Sequence, residues 1–289
     1  LKRKLLIESF FRLGNHELYN FKRSELAKLF QESLLKRMKI NSDLIGLNAL
    51  KLLPENPRSD DMTLYYKFTP HKGVKFIALD CFDISVIGHE PSHPNYKIAE
   101  EILFQHHGHR DFDGWDLDDG LVGQNRRFQS SNGALSEDQL KWLDEELAES
   151  DLNNELVIVF GHVGLHPDST DWNTIMWNYD EVISCFNKHN CVVSYFCGHS
   201  HVQGYTYSNG IHYVVFHGII ETSPEFVSFA TVTLYSDRME IEGHGLEQSR
   251  VLSLKNVKDI EMEEIIDNLV VDDSSQDGLA CTPEVSVKV

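Results

Sequence analysis

Three short polar motifs in this sequence contain residue types that bind metal ions. They are GNHE at residues 14–17, Gly-His at 161–162 and GHSH at 198–201. Amide oxygens and imidazole nitrogens suit manganese, iron or zinc better than calcium. Two ions held close together can activate one water molecule and neutralise the charge of a phosphoryl group. The motifs therefore indicate a metal site of a kind that can support hydrolysis of a phosphate compound.

Each motif taken alone also has a purely structural interpretation. A single Gly-His after a strand, as at His162, is more often part of a turn than a metal site. The imidazoles of His199 and His201 are a stronger signal, because packing rarely requires two histidines at this spacing after a buried strand. The presence of all three motifs in one chain favours metal binding.

The segments around these motifs predict a layered α/β fold. The apolar runs VIVF and VVSYF lead into the second and third motifs, and residues just past the carboxyl ends of sheet strands point into one crevice. The glycine in each motif is expected to let the backbone turn sharply beside a bound ion. Helices are predicted at 24–38, 136–147 and 179–189, and strands with their following turns at 64–68, 74–88, 155–162, 191–201, 211–218, 229–235 and 238–245.

A polar, glycine-rich stretch from His106 to Gly133 is predicted to be a long surface loop. Its HHGH segment is interpreted as a solvated stretch of this loop rather than as a metal site. Packing in the core or at the rim is expected for His217, Cys197, Trp115, Trp172 and Trp177.

The composition indicates a globular protein that does not bind polyanions or membranes. A formal net charge of -19 disfavours nucleic acids and anionic lipids as partners. No apolar run reaches the roughly 18 to 20 residues that cross a membrane. Five cysteines without CxxC spacing fit a reducing compartment. We therefore expect a cytoplasmic monomer.

The chain is expected to divide into one folded domain and a tail. The domain covers residues 1–250. Hydrophobicity falls after this point, and residues 251–289 contain nine acidic residues against three lysines. This composition predicts an acidic, disordered tail.

The motifs, in this order, resemble those of the calcineurin-like metallophosphoesterase superfamily. Longer segments, among them GNHELYNFKRSEL, NGALSEDQLKWLDEEL and VVSYFCGHSHVQGYTY, resemble the manganese-dependent ADP-ribose/CDP-alcohol diphosphatases over residues 13–245. The resemblance implies a layered β-sandwich flanked by helices. It also implies hydrolysis of the phosphoanhydride of ADP-ribose, CDP-alcohols or related compounds to a nucleoside monophosphate and a phosphorylated second product.

Site roles follow from the same resemblance. Asn15, His162 and His199 would bind one metal ion, and His201 would bind the other. His16 would lie beside the scissile phosphate and act as the catalytic residue. The implied cofactor is Mn²⁺ in a dinuclear site, with Fe, Zn or Mg as alternatives, and the implied partner is a small nucleotide substrate.

The sequence departs from the family pattern at its beginning. The family's Asp-x-His and Gly-Asp motifs are not found before Gly14, so we expect a domain that lacks its first strands and part of its ligands. We do not expect Asp80 or Asp83 to replace the missing carboxylate. The alternative hypothesis is a catalytically inactive, truncated form that serves as a nucleotide-binding or interaction protein.

Overall fold

The computed structural model describes residues 14–29, 64–112, 120–220, 223, 226–254 and 285–288. The helices in these ranges are α1 (Asn15–Asn20), α2 (residues 23–29), α3 (Pro94–His107), α4 (Glu137–Asn153) and α5 (Tyr179–Asn187). The strands are β1 (Tyr66–His71), β2 (Val74–Ala78), β3 (Leu156–Phe160), β4 (Val192–Cys197), β5 (Gly204–Ser208), β6 (Ile211–Val215), β7 (Ser228–Leu234), β8 (Arg238–Gly245), β9 (Arg250–Ser253) and β10 (Val285–Lys288).

The larger sheet has six strands in the order β1-β2-β3-β4-β6-β5. Its four inner strands are parallel, and the outer strands β1 and β5 pair antiparallel with their neighbours. Every residue of β2, β4 and β6 is buried. This continuous burial is typical of parallel strands that are covered on both faces.

The smaller sheet covers one of these faces. It is antiparallel, in the order β10-β7-β8-β9. Burial alternates along β7, as expected when one face packs on a core and the other faces solvent. Side chains of both sheets form one apolar cluster, which includes Phe76, Ile158 and Phe196 from the larger sheet and Val232 and Ile241 from the smaller.

Helices cover the opposite face of the larger sheet. Leu143 and Leu147 of α4 pack with Phe186 of α5 and with Val157 of β3. The helix α4 begins where its capping sequence predicts, because the hydroxyl of Ser136 accepts the backbone N–H of Gln139 at 3.1 Å. The layered β-sandwich flanked by helices that the resemblance implied is confirmed.

The predicted strand at 74–88 is wrong beyond Ala78. There the chain leaves the sheet, and the carboxylate of Asp80 accepts the backbone N–H of Phe82 at 3.1 Å, which stabilises a local turn. Cys81, Phe82 and Ile84 remain buried in this turn region. An apolar run can therefore continue into the core without remaining a strand.

In the described part of the stretch at 106–133, the predicted surface loop is confirmed for residues 122–126, which are exposed, and is wrong for residues 106–107 and 128–133. Residues 106 and 107 belong to α3, and the ring of His106 stacks on Phe128 with 3.4 Å between centroids. The imidazole of His107 lies 2.6 Å from the carbonyl oxygen of Phe128. Residues 129–132 are buried. The HHGH segment thus anchors a buried connection.

The predicted helix at 24–38 and the predicted tail at 251–289 are described only in part. The predicted helix at 24–38 is helical over 24–29, and its remainder lies outside the described residues, as do Trp115 and residues 255–284. The segment predicted as a tail contributes β10 and most of β9 to the smaller sheet. In the part of the chain that the structure describes, no helix is long and apolar enough to span a membrane.

A buried lysine links β2 to α4. The side chain of Lys75 is 4% exposed, and its ammonium lies 3.0 Å from Glu149, 3.1 Å from Glu155 and 3.5 Å from Glu146. These carboxylates compensate the cost of burying its charge. The hydrogen bond from Lys75 lowers the pKa of Glu149 from 4.5 to about 2.

Acid should weaken this link, and Glu149→Gln should remove part of the acid sensitivity. Because the folded-state pKa of Glu149 is lowered, its stabilising contribution is present above about pH 4.5 and is lost as the pH falls towards about 2. Thermal unfolding followed by circular dichroism across this range should show a steeper loss of Tm in the wild type than in the variant. Glu145→Gln, on the same helix with an exposed ion pair to Lys141, is the matched control. Equal acid slopes for wild type and Glu149→Gln would contradict the assignment.

Candidate metal centre

Two of the three motifs meet because β3 and β4 are parallel neighbours. Gly161 follows β3, and its N–H donates to the carbonyl of Phe196 on β4 at 3.0 Å. Gly198 follows β4, and its N–H donates to the carbonyl of His162 at 3.1 Å. These bonds extend the ladder past the strand ends and place the two Gly-His segments side by side.

The first motif reaches the same edge through α1. Asn15 is the first residue of this helix and is buried. Glu17 does not extend the ligand set, because its carboxylate accepts the N–H of Gly14 at 2.9 Å and caps the helix. A Cβ atom on Gly14 would lie 2.8 Å from Cε1 of His162. Glycine at this position therefore leaves room for the imidazole of His162 beside α1.

Three predicted ligands converge on one point. Oδ1 of Asn15 lies 2.8 Å from Nε2 of His162 and 3.2 Å from Nδ1 of His199. Atoms bound at about 2.1 Å to one divalent ion lie about 3 Å apart. The positions of these atoms therefore suit a shared ion, and their role as ligands remains a prediction.

A residue that the sequence did not reveal sets the orientation of His199. Oδ1 of Asn132 lies 2.6 Å from Nε2 of His199, and Nδ2 of Asn132 donates to the carbonyls of Arg127 and Asn173 at 2.8 and 2.9 Å. Because the amide nitrogen faces two carbonyls, the amide oxygen is the acceptor, and Nε2 of His199 must carry the hydrogen. In the neutral imidazole, the lone pair is then on Nδ1.

This tautomer provides a test of whether the site fits a metal ion. The lone pair on Nδ1 of His199 is directed at Oδ1 of Asn15 across 3.2 Å, and two acceptors at this distance repel each other. Nδ2 of Asn15 donates to the hydroxyl of Tyr19 at 3.2 Å, which keeps Oδ1 turned towards the imidazoles. A cation between the two acceptors would convert the repulsion into attraction, so the donor set fits the implied metal.

Beside this cluster lie the two other predicted site residues. The rings of His16 and His201 are 5.4 Å apart and tilted by 30°. The backbone of His199 has φ of 69° and that of His201 has φ of 57°, a left-handed conformation that is uncommon for residues other than glycine. Such strain costs about 1–3 kcal/mol and is found mainly at functional sites.

The expected reason for glycine in the Gly-His motif is wrong. We expect glycine to make the sharp turn in each motif. In the structure, the left-handed backbone is found at His199 and His201 of GHSH. Gly161 is needed for space instead, because a Cβ atom there would lie 2.2 Å from the hydroxyl oxygen of Tyr195 and 2.8 Å from Sγ of Cys81. The Tyr195 hydroxyl donates to the carbonyl of Val163 at 2.7 Å, so it cannot move away freely.

The carboxylates of Asp80 and Asp83 make structural contacts in the fold. Asp80 forms a buried ion pair with Arg23 of α2. Asp83 accepts hydrogen bonds from Ser136 and from Nε2 of Gln139 at the start of α4. Both carboxylates are thus engaged, and the expectation that neither completes the metal site stays a prediction.

The remaining candidates lie in the core or at its edge, as expected. Cys197 and Trp177 are buried, and the indole N–H of Trp177 donates to the carbonyl of Gln129 at 3.2 Å. The ring of Trp172 packs edge-on against Tyr179. The backbone N–H of His217 donates to Glu247 at 2.8 Å.

Comparison with known proteins gives a consistent result. A manganese-dependent ADP-ribose/CDP-alcohol diphosphatase from Xenopus laevis is 34% identical over 90% of this chain and 70% of its own length. The protein of that name from Danio rerio is 37% identical over 80% of this chain and 68% of its own length. The chain belongs to this diphosphatase family. No family model matches it.

A solved structure supports membership of the diphosphatase family. The crystal structure of a dimetal phosphatase from Danio rerio matches with a TM-score of 0.70 and 33% identity, over 84% of this chain and 71% of that chain. The sequence resemblance is thereby confirmed, and the chain spans about 70% of the length of the Xenopus laevis relative.

Replacing Asn132 by alanine should weaken metal binding. Without its acceptor, the imidazole of His199 is no longer held with Nδ1 towards Asn15, and loss of such a partner typically weakens metal affinity about 10- to 100-fold. The Mn²⁺ affinity can be measured by electron paramagnetic resonance titration. Asn125→Ala, at an exposed position of the same connection, is the control. Unchanged affinity in a folded Asn132→Ala protein would refute this role.

Substitution of Gly161 by alanine should destabilise the fold by about 1–3 kcal/mol, because the new methyl group overpacks against Tyr195. In the double variant with Tyr195→Phe, the hydroxyl that meets this methyl group is absent. The free energy of unfolding of each variant can be measured with urea. The losses of the two single variants, Gly161→Ala and Tyr195→Phe, should add up to more than the loss of the double variant. Strict additivity would show that the close approach is not the reason for glycine.

Proposed function

We propose that this chain hydrolyses the phosphoanhydride of ADP-ribose, CDP-alcohols or related nucleoside diphosphate compounds, with Mn²⁺ as its cofactor. The products are a nucleoside monophosphate and a phosphorylated second product. The observation that carries the proposal is the convergence of Asn15, His162 and His199 at the carboxyl ends of parallel strands, with His16 and His201 alongside. The activity named for the relatives supports the substrate class.

The metal ligands in this proposal are amide oxygen and imidazole nitrogen. Asn15, His162 and His199 would hold one ion, and His201 would contribute to a second. This donor set suits manganese and also permits iron, zinc or magnesium. When bound, the ions supply activation of a water molecule and neutralisation of the phosphoryl charge.

His16 is the catalytic residue of the proposal. It follows Asn15 directly in α1, is half-buried and lies in edge contact with Tyr19. From this position its imidazole can donate a hydrogen bond or a proton to a phosphate or leaving-group oxygen. Proton transfer from a positioned side chain contributes about 10²- to 10⁴-fold to a rate.

The proposal is tested with the purified chain, Mn²⁺ and either ADP-ribose or CDP-choline. His16→Ala should lower kcat about 10²- to 10⁴-fold while Mn²⁺ affinity is retained, because this side chain is not a predicted ligand. His201→Ala should instead raise the Mn²⁺ concentration needed for half-maximal rate. His244→Ala, in the smaller sheet where its ring stacks on Phe229, should leave the rate unchanged.

The outcome also separates this proposal from the alternative of an inactive protein. Substrate binding without turnover at any Mn²⁺ concentration would favour a nucleotide-binding role and overturn the enzymatic one. Turnover that survives both His16→Ala and His201→Ala would show that other residues perform the reaction.

We also propose that the protein is a monomer of the cytoplasm. Within the described residues, Cys81, Cys185, Cys191 and Cys197 are buried thiols, which fits a reducing compartment. The net charge of -19 supports a small nucleotide rather than a nucleic acid as the phosphate-containing partner.

A further inference from the structure

We propose a second metal site, formed by Asp144, Cys185 and His189 and suited to Zn²⁺. It lies between α4 and the end of α5, and it does not depend on the proposed diphosphatase activity. A carboxylate, a thiolate and an imidazole are all ligands that zinc accepts.

Two of the three distances between the ligand atoms suit zinc. Oδ1 of Asp144 lies 3.3 Å from Nε2 of His189 and 3.6 Å from Sγ of Cys185, and the three atoms all lie within 4.8 Å of one another. Around a tetrahedral Zn²⁺ with bonds of about 2.0 to 2.3 Å, ligand atoms are separated by about 3.3 to 3.6 Å. The two separations that involve Asp144 therefore match tetrahedral coordination, and zinc binding would bring Sγ of Cys185 and Nε2 of His189 to a similar separation. Water would take the fourth position.

Local structure holds the ligands in place. Cys185 and His189 are four residues apart, and the N–H of His189 continues the turn of α5 by donating to the carbonyl of Phe186 at 3.1 Å. Residues at this spacing lie on one side of a helix. Asp144 follows Leu143, which packs in the same apolar cluster as Cys185.

A further carboxylate supports the histidine in the manner of known zinc sites. Oδ2 of Asp151 lies 3.0 Å from Nδ1 of His189, and Oδ1 of Asp151 accepts the backbone N–H of Asn190 at 3.0 Å. The side chain of His189 is 10% exposed. A carboxylate on Nδ1 fixes the tautomer that presents Nε2 to a metal and increases its basicity.

Two groups would have to change when an ion binds. Burial raises the pKa of the Cys185 thiol to about 12, so zinc binding would form the Zn–S bond and release the thiol proton to solvent. The ammonium of Lys188 lies 3.2 Å from Oδ1 of Asp144 and would have to move away. Its side chain is 61% exposed, so solvent can accommodate it.

The site lies at the edge of the sheet opposite the candidate metal centre. The helix α4 leads into the amino end of β3, and α5 leads into the amino end of β4, whereas His162 and His199 follow the carboxyl ends of those strands. A five-residue strand is about 16 Å long. Zinc here would join α4 to α5 and stabilise the fold.

Cobalt absorption on the full chain tests the site, because Co²⁺ bound to a thiolate gives a charge-transfer band in the near ultraviolet. The band is expected in the wild type and in Cys197→Ala, whose buried thiol on β4 contacts the carbonyl of Val214. It should be lost in Cys185→Ala. Absence of the band in the wild type, or its survival in Cys185→Ala, would overturn the proposal.

Zinc titrations provide the second measurement. Asp151→Asn should weaken Zn²⁺ competition for the Co²⁺ site about 10- to 100-fold, and Lys188→Gln should strengthen it by removing a competing cation. Zn²⁺ should raise the Tm of the wild type more than that of Cys185→Ala. Equal Tm shifts would mean that zinc acts elsewhere, and neither readout requires phosphoesterase turnover.

Discussion

Hydrogen bonds between β3 and β4 continue past Phe160 and Phe196 into the two Gly-His segments. Because the strands are parallel and adjacent, their following residues emerge at one edge, about 5 Å apart in the pairing direction. This spacing fixes the backbone of both histidines before any ligand is considered. The remaining parts of the structure bring other residues to that edge or keep the two strands in register.

The buried polar contacts of Asn132 show how the surroundings complete the site. Its amide joins three separate segments, through the carbonyls of Arg127 and Asn173 and the imidazole of His199. A fully satisfied network in a low-dielectric interior is rigid, and the loss of one member leaves the others unpaired. The connection that precedes α4 therefore supports the candidate metal centre through its contact with His199.

Sequence patterns predicted the parts of the molecule that depend on local periodicity. Strands β3 and β4, the capped helix α4 and the convergence of the motif residues follow from apolar runs, caps and the geometry of parallel sheets. The turn at Asp80 was not predicted, because the apolar residues that follow it were interpreted as a continuation of the strand. They are apolar because they are buried in the core, not because they pair in the sheet. The role of Asn132 was not predicted, because two of its hydrogen-bond partners, His199 and Asn173, lie far away in sequence. The only local signal is Asn132-Gly133 before a capping box, which indicates a turn.

The left-handed backbone of His199 and His201 places the stability of the fold and the proposed role of these residues in opposition. Glycine would adopt the same φ values without steric cost, so in this backbone the histidines are less favourable for folding than the simplest alternative. If selection acted on stability alone, mutations that replace His199 and His201 would be favoured. A lineage that has lost the need for this chemistry should therefore lose these imidazoles early and gain thermal stability as it does so.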